Sequence, residues 1–179
     1  MIYTCKYASP LGSITLAGDG DALTGLWFDG QRYFGSTLPD DAKEGRSPVF
    51  DEARRWLDVY FSGHEPDFTP PLHPAGTPFQ RTVWALLGQI PYGETTTYGA
   101  LAQTLAARVG LASMSAQAVG GAVGHNPVSI IVPCHRVVGA DGSLTGYAGG
   151  IDKKVKIVLL CLEGADTARF RIPKKGTAL

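Results

Sequence analysis

A cysteine, a histidine and an arginine stand side by side in the second half of the chain, at Cys134, His135 and Arg136. A thiolate is a strong nucleophile, and the thiol loses its proton readily only when a base or a positive charge lies nearby. Neighbouring side chains of an extended segment point to opposite faces, so we expect Cys134 and His135 to communicate through a turn or a bridging water. The triplet predicts nucleophilic chemistry at Cys134, with an inert buried cysteine as the alternative.

The residues before the triplet predict the element that presents the thiol. Ile130, Ile131 and Val132 are β-branched and uninterrupted by a polar residue, which indicates a short strand buried on both faces. Pro133 lacks a backbone N–H and keeps the preceding residue extended, so the strand should end there. We therefore expect Cys134 to follow the end of a rigid, buried strand.

The sequence PCHRV at 133–137 closely resembles the active-site signature of the O6-alkylguanine-DNA alkyltransferases, also called methylated-DNA-protein-cysteine methyltransferases. The resemblance extends over about half of the chain, and several segments in the right order are a stronger signal than one short motif. These segments are TPFQ at 77–80, VW at 83–84, IPYGET at 90–95, YG at 98–99, NP at 126–127, GYAGG at 146–150 and EG at 163–164.

The resemblance implies a DNA repair protein that flips O6-alkylguanine, mainly O6-methylguanine, from the duplex and transfers the alkyl group irreversibly to its own Cys134. It implies that His135 takes the thiol proton through a water and that Glu163 orients His135. It also implies that Asn126 holds the backbone beside the reactive segment. Tyr98 resembles the residue that helps to rotate the target phosphate and to protonate the base.

The spacing of Glu163 departs from the family pattern. The interval from Gly150 to Glu163 is two residues longer, and two residues rotate a helix by about 200°. Glu163 should therefore face away from His135 unless the extra residues are absorbed near Lys153 to Lys156.

A helix beginning near Ser115 is implied by the resemblance to enter the DNA minor groove. The family has an arginine at the position of Gln117, where it fills the gap left by the flipped base; glutamine can hydrogen-bond to the orphaned cytosine but brings no charge. Arg136 is included among the contacts, although we expect it to brace the reactive loop. The implied DNA and substrate contacts are Ser115, Ala116, Gln117, Gly120, Val123, Arg136, Tyr147, Ala148 and Gly149.

The pattern of the first 64 residues predicts a small α/β domain. Residues 2–28 alternate apolar and polar positions and are broken twice by turn residues, which indicates three strands of a meander. Ser47 should cap a helix whose first residue is Pro48, and Gly63 should end it. Five prolines between residues 65 and 78 then predict an extended linker over 65–76, with exposed His64 and His73.

Residues 77–164 are predicted to form a mainly helical domain with a helix-turn-helix and a short active-site strand, followed by a basic tail over 165–179. The whole fold is therefore expected to be α+β. Thr77 should cap the first helix of this domain, a second helix should begin near Tyr98, and a third near Ser115. The predicted buried residues are Phe79, Val83, Trp84 and Leu87 in the first helix, and Leu101, Ala102 and Leu105 in the second.

The formal charge is zero overall but differs between the two halves. Eleven acidic and six basic residues up to Gly76 give −5, whereas five acidic and ten basic residues from Thr77 onward give +5. Such an asymmetry suggests two domains, of which the basic one faces an anion, although solvated surface charge is the alternative. We expect double-stranded DNA carrying O6-alkylguanine as the partner of a monomeric protein.

Three widely spaced cysteines argue against a disulfide framework, and the sequence has neither a long apolar run nor a signal pattern. We therefore expect a cytoplasmic protein without a membrane segment, a metal site or a cofactor. Cys161 lies in an apolar run and is predicted to be an inert core residue.

Two other functions remain open from the residues. Alkyltransferase-like proteins recognise lesions without transfer, but they lack the cysteine that is present here as Cys134. A Cys-His-Glu hydrolase uses the same residue types for acyl transfer.

Overall fold

The computed structural model describes residues 1–144, 153–168 and 170–171 of the 179-residue chain. It divides into two compact units. The first unit comprises Met1–Gly76 together with Pro127–Ile131, and the second comprises Thr77–Asn126 together with Val132–Leu179. The chain thus enters the second unit after Gly76, returns to the first for five residues, and leaves it again before Cys134.

A four-stranded sheet forms the first unit. Its strands are β1 (Tyr3–Ser9), β2 (Gly12–Gly18), β3 (Leu23–Phe28) and β4 (Lys43–Glu44), in the order β3-β2-β1-β4. The β1–β2 and β2–β3 pairs are antiparallel, which confirms the predicted three-stranded meander. The pairing of β4 with β1 is parallel and was not predicted, because two exposed charged residues give no strand pattern.

One amphipathic helix, α1 (Pro48–Phe61), belongs to this unit as predicted. Its apolar face is buried, and Gly63 follows its end with a φ of 88°, a left-handed conformation that glycine adopts easily. Ser47 stands at the N-cap, but its hydroxyl contacts Gly20 O at 3.4 Å and makes no capping hydrogen bond. The helix start was therefore predicted correctly and the capping bond was not.

Two segments outside the sheet bond to the backbone of β3. Leu23 donates to Pro71 O at 2.8 Å and accepts from His73 N at 2.7 Å, while Leu26 donates to Pro127 O at 2.8 Å and accepts from Ser129 N at 2.9 Å. Because β3 is the last strand at its side of the sheet, these bonds satisfy backbone groups that would otherwise be open to pairing.

The predicted strand over Ile130–Val132 is wrong. The three residues are buried, with exposed fractions of 1%, 9% and 6%, but they form a turn in which Ile130 has a φ of 70°. Their apolar character therefore reflects burial and not an extended backbone. The strand of the reactive region comes after the cysteine: β6 (Val137–Val138) pairs in parallel with β5 (Thr96–Thr97).

Three helices precede the reactive region in the second unit, namely α2 (Pro78–Leu87), α3 (Tyr98–Arg108) and α4 (Ala116–Gly124). Each has a hydroxyl residue that accepts a backbone N–H at its start: Thr77 within a capping box with Gln80, Thr97, and Ser115. The predicted buried residues are buried, except that Phe79 is 37% exposed. The Trp84 indole donates to Ala122 O at 2.9 Å and thereby joins α2 to α4.

The last helix, α5 (Lys153–Leu162), packs Leu160 against Val138 and Leu144. Cys161 on this helix is exposed, so its predicted place in the core is wrong. Within the described part of the chain, every helix is too short or too polar to span a bilayer.

Candidate active site

Cys134 begins a single turn of 3-10 helix, Cys134–Arg136. Its N–H donates to Val132 O at 2.9 Å, and Arg136 N donates to Pro133 O at 3.0 Å. The turn is short because the chain must pass at once into β6. Consecutive side chains leave such a turn in different directions, which gives Cys134 and His135 separate surroundings within one rigid segment.

The Cys134 thiol is buried, with 3% of the residue exposed. Burial raises its pKa, and three influences act in the opposite direction: a hydrogen bond from the Asn126 side chain, the positive charge of Lys156, and backbone N–H groups of the turn. Burial disfavours the thiolate, whereas donors and a cation stabilise it. The thiol is therefore held in its neutral form by burial and lies beside the groups that stabilise the anion.

Asn126 lies just beyond the end of α4 and is 4% exposed. Its side-chain amide donates to Val132 O at 2.8 Å, and its own N–H donates to Val123 O at 3.3 Å. The same amide group is the hydrogen-bond donor to the Cys134 sulfur. Asn126 thus links the end of α4, the backbone before the reactive turn and the thiol, which goes beyond the backbone role expected from the sequence.

Glu163 lies between two basic residues of the reactive turn. Its Oε2 is paired with His135 Nε2, and its Oε1 accepts from Arg136 Nε at 2.7 Å and from Gly93 N at 3.2 Å. The side chains of His135 and Glu163 are fully buried, and that of Arg136 is 10% exposed. Arg136 also donates to Ile90 O at 2.7 Å. Every oxygen of the carboxylate is therefore occupied by a partner that fixes its orientation.

The longer interval before Glu163 does not turn it away from His135. Glu163 N donates to Leu159 O at 3.1 Å, so helical hydrogen bonding continues one residue past the end of α5. Burial lowers the pKa of His135, and the hydrogen bond and charge of Glu163 oppose this effect. A neutral imidazole is the form that accepts a proton, and a carboxylate beside it stabilises the imidazolium that results.

A buried lysine completes the cluster and was missed in the sequence. Lys156 is 0% exposed, and its ammonium lies 5.9 Å from the centroid of the Tyr98 ring. Burial lowers its pKa to about 8, opposed by the charge of Cys134. Its spacing was the available signal: Lys156, Leu159, Leu160 and Glu163 follow the i, i+3, i+4, i+7 pattern of one helix face, and all four are buried.

Tyr98 is the first residue of α3 and is 4% exposed. It lies close to Lys156, and through Lys156 it belongs to the same cluster as Cys134. The cluster combines a nucleophile, a neutral imidazole with an orienting carboxylate, a phenol and a cation. Such a set can deprotonate a thiol and donate a hydrogen bond to a leaving group.

The residues expected on the DNA-facing helix separate into two faces of α4. Ser115 and Gln117 are exposed, Ala116 is partly exposed, and Gly120 and Val123 are buried. No described atom other than local backbone lies within 4 Å of where a side chain would begin at Gly121 or Gly124. The outer face is consequently smooth, with Gln117 as its long side chain, while Gly120 and Val123 face inward. Tyr147, Ala148 and Gly149 lie outside the described residues.

Groups of three or more histidine, cysteine or acidic side chains suited to a metal ion are not found among the residues that the structure describes.

Two sequence families match the chain. The one described as 6-O-methylguanine DNA methyltransferase, DNA binding domain, matches residues 78–165, and the one described as 6-O-methylguanine DNA methyltransferase, ribonuclease-like domain, matches residues 2–74. The methylated-DNA-protein-cysteine methyltransferase of Methanosarcina acetivorans is 44% identical over 92% of this chain and 99% of its own length. The protein of the same name from Mycobacterium tuberculosis is 46% identical over 86% of this chain and 88% of its own.

The chain belongs to the methylated-DNA-protein-cysteine methyltransferase family. Solved structures agree. The O6-methylguanine methyltransferase of Mycobacterium tuberculosis has a TM-score of 0.75 at 42% identity, covering 98% of this chain and 97% of that one. The same organism's OGT in complex with DNA has a TM-score of 0.74 at 42% identity, covering 94% of both chains. The family supports alkyl transfer in DNA repair, and the α+β fold expected from the sequence is confirmed.

Proposed function

We propose that this chain repairs O6-alkylguanine in duplex DNA by transferring the alkyl group to Cys134. The sulfur forms a bond to the alkyl carbon as the bond between that carbon and guanine O6 breaks, and the electron pair of the broken bond stays on the guanine. A thioether results, and no described residue offers chemistry that would cleave it. Each molecule therefore acts once, and the alkylated DNA is itself the alkyl donor.

His135 and Glu163 remove the proton from the Cys134 thiol in this proposal. His135 takes the proton from Cys134 through a water, and Glu163 keeps the imidazole oriented and stabilises its charged form. Support comes from the buried pairing of His135 Nε2 with Glu163 Oε2, which holds the ring in one orientation next to Cys134 in the chain. Arg136 acts as a brace, because its guanidinium is held by Glu163 and by Ile90 O.

Asn126 acts on the nucleophile and Tyr98 acts on the leaving group. Asn126 stabilises the thiolate through its amide, and Tyr98 donates its phenol proton or a hydrogen bond to the guanine as it departs. Lys156 lowers the energy of negative charge on either group, because its ammonium lies near the tyrosine ring and its charge acts on the thiol.

The DNA meets α4 from the minor groove in this proposal, with the target nucleotide flipped out. Ser115, Ala116 and Gln117 at the start of α4 lie on or beside the exposed face, and the glycines of that face allow close approach. Gly120 and Val123 shape the inner side of the helix. Tyr147, Ala148 and Gly149 are proposed from the resemblance alone to hold the flipped base.

The remaining features of the proposal are a monomeric, cytoplasmic protein whose residues 77–164 carry the reaction, with residues 1–64 as the N-terminal α/β domain. The three free cysteines are in keeping with a reducing compartment.

One observation carries the proposal: Cys134 is adjacent in the chain to His135, whose ring is paired with the buried carboxylate of Glu163. The test is incubation of the full chain with a duplex whose O6-methyl group is radiolabelled. One equivalent of stable label on Cys134, found by peptide mass spectrometry, is the expected result, and Cys134→Ala should bind the duplex without taking label. Repeated turnover would indicate a hydrolase, and binding by the parent chain without label would indicate lesion recognition only.

A further inference from the structure

The connection between α3 and α4 is longer than a helix-turn-helix needs. It runs from residue 109 to residue 115, seven residues, whereas about three or four suffice for the common turn. Its sequence, VGLASMS, contains no charge, and no Lys, Arg, Asp or Glu occurs anywhere between Arg108 and Arg136. The additional length therefore presents apolar and small side chains next to the start of α4.

The first part of this connection is rigid. Gly110 has a φ of 73°, its N–H donates to Ala107 O at 3.4 Å, and Leu111 N donates to Ala106 O at 2.8 Å. These two bonds form a Schellman motif, in which the residue after the glycine commonly covers the last turn of the helix with its side chain. The backbone of Leu111 is thus fixed by hydrogen bonds to α3.

The side chains of this rigid segment nevertheless face solvent. Val109 and Leu111 are each 55% exposed, although Ala106, on the preceding turn, is only 3% exposed. Large apolar residues exposed to this extent are few among the described residues, and this segment has two of them within three positions. Because the backbone of this segment is already fixed, it loses little backbone entropy on binding, so its apolar side chains are well placed to insert into a partner.

Lesion-bearing DNA is the partner that the position of these residues favours. The connection leads directly into Ser115 at the start of α4, and the DNA-binding family match spans residues 78–165. Minor-groove proteins often insert an apolar side chain between base steps, which unstacks them and kinks the duplex. Resting on the proposed function, we infer that Leu111, with Val109 beside it, is an apolar wedge that enters the minor groove next to the flipped nucleotide.

The wedge has a specific task in this chain. Gln117 brings no charge to α4, and no Lys, Arg, Asp or Glu lies between Arg108 and Arg136, so residues 109–135 themselves offer no lysine or arginine to neutralise phosphates. Apolar insertion beside the lesion supplies binding free energy that does not depend on salt. It also separates the base steps that must open before a nucleotide can leave the stack.

The test measures duplex affinity by fluorescence anisotropy, with Cys134→Ala as the background so that no transfer occurs. Leu111→Ser should weaken binding to an O6-methylguanine duplex about tenfold, or about 1.4 kcal/mol, with an unchanged dependence on salt. Val109→Ser should show a smaller loss. Leu111→Met should retain the affinity, and Val158→Ser is the matched control because Val158 is a 44% exposed valine of the same unit.

A second measurement separates the wedge from the reaction itself. With Cys134 restored, the rate at which a free O6-alkylguanine base alkylates Leu111→Ser should equal that of the parent chain, since no duplex is opened. Three results would each overturn the wedge proposal. They are an unchanged duplex affinity in Leu111→Ser, an equal loss of affinity in Val158→Ser, and a slower reaction of Leu111→Ser with the free base. Failure of the proposed function is a different result, in which the parent chain alkylates with neither the free base nor the duplex.

Discussion

Lys156 and Glu163 lie two turns apart on the same buried face, seven residues from each other, at the side of the second unit that holds Cys134. One carries the positive charge that acts on the thiol, and the other carries the carboxylate that pairs with His135. The longer interval before Glu163 therefore does not prevent Lys156 and Glu163 from being buried on the same face.

Replacing Lys156 with methionine should increase stability and reduce activity. The pKa of Lys156 falls from its ordinary 10.5 to about 8 in the folded chain. The unfolded chain therefore binds this proton more tightly, and the difference destabilises the fold by about 3 kcal/mol at pH 7. This destabilisation by Lys156 disappears as the pH rises from about 8 to 10.5, where the lysine becomes neutral in both the folded and the unfolded chain. Urea unfolding at pH 7 should show Lys156→Met more stable by about 1–3 kcal/mol.

The same variant should transfer the alkyl group at least about tenfold more slowly at pH 7, because the thiolate of Cys134 loses a stabilising charge. Single-turnover kinetics with a methylated duplex measure this rate. Lys43→Met is the control, since Lys43 is exposed and should change neither stability nor rate. Equal stability with an unaltered rate in Lys156→Met would contradict the assignment of both effects to the buried charge.

Glu163→Gln should destabilise the fold by about 3 kcal/mol, because it leaves the guanidinium of Arg136 buried without a carboxylate. Arg136→Met removes the other partner and should cost a similar amount. Since the two residues share one interaction, the double variant should be at least about 1 kcal/mol more stable than the sum of the single losses predicts. Urea unfolding of the three variants measures this coupling. Additive losses would mean that Arg136 and Glu163 act independently.

Stability should fall as the pH drops below about 6.5. The pKa of His135 is lowered by burial, so the unfolded chain, with a histidine pKa near 6.5, takes up the proton first and unfolding becomes more favourable. Thermal unfolding between pH 7.5 and 5 should show a smaller decline for His135→Gln than for the parent. His64→Gln serves as the control, because His64 is exposed. An identical decline in parent and His135→Gln would exclude His135 as its source.

Cys161 should react with a bulky disulfide reagent before Cys134 does. Cys161 is exposed, whereas Cys134 is 3% exposed and burial raises the pKa of its thiol, so both restricted access and the raised pKa slow the reaction of Cys134. Timed quenching followed by peptide mass spectrometry gives the order of modification. Saturation of Cys161 should leave alkyl transfer to Cys134 intact, and faster labelling of Cys134 would show that its sulfur is more open than the structure indicates.

The sequence was most informative where a signal is local. Thr77, Thr97 and Ser115 each mark a helix start, because a hydroxyl residue followed by an apolar pattern carries its own capping chemistry. The sequence was misleading at Ile130, which has a left-handed backbone and lies in the segment 127–131 that returns to the first unit. A β-branched run indicates burial reliably and backbone conformation less so, since the same residues fill a buried turn.

The site was predicted in part for a similar reason. Cys134 and His135 are contiguous, so their motif was visible, whereas Lys156 belongs to no motif and only its helical spacing from Leu159, Leu160 and Glu163 pointed to its burial. Cys161 illustrates the converse: an apolar neighbourhood in the sequence suggested the core, yet its position on α5 faces outward. Which face of a helix is buried is decided by the elements that pack against it, and residue type alone does not specify them.

The excursion of residues 127–131 means that neither unit is a continuous piece of the chain. Expressing residues 77–179 alone would detach these five residues from Leu26, their hydrogen-bonding partner in β3. Asn126 precedes these five residues and Val132 follows them, and the Asn126 amide donates to Val132 O just before the reactive turn. A gene cut at the apparent domain boundary would therefore yield a fragment with a loosened catalytic loop, and engineering of this protein should preserve both halves in one polypeptide.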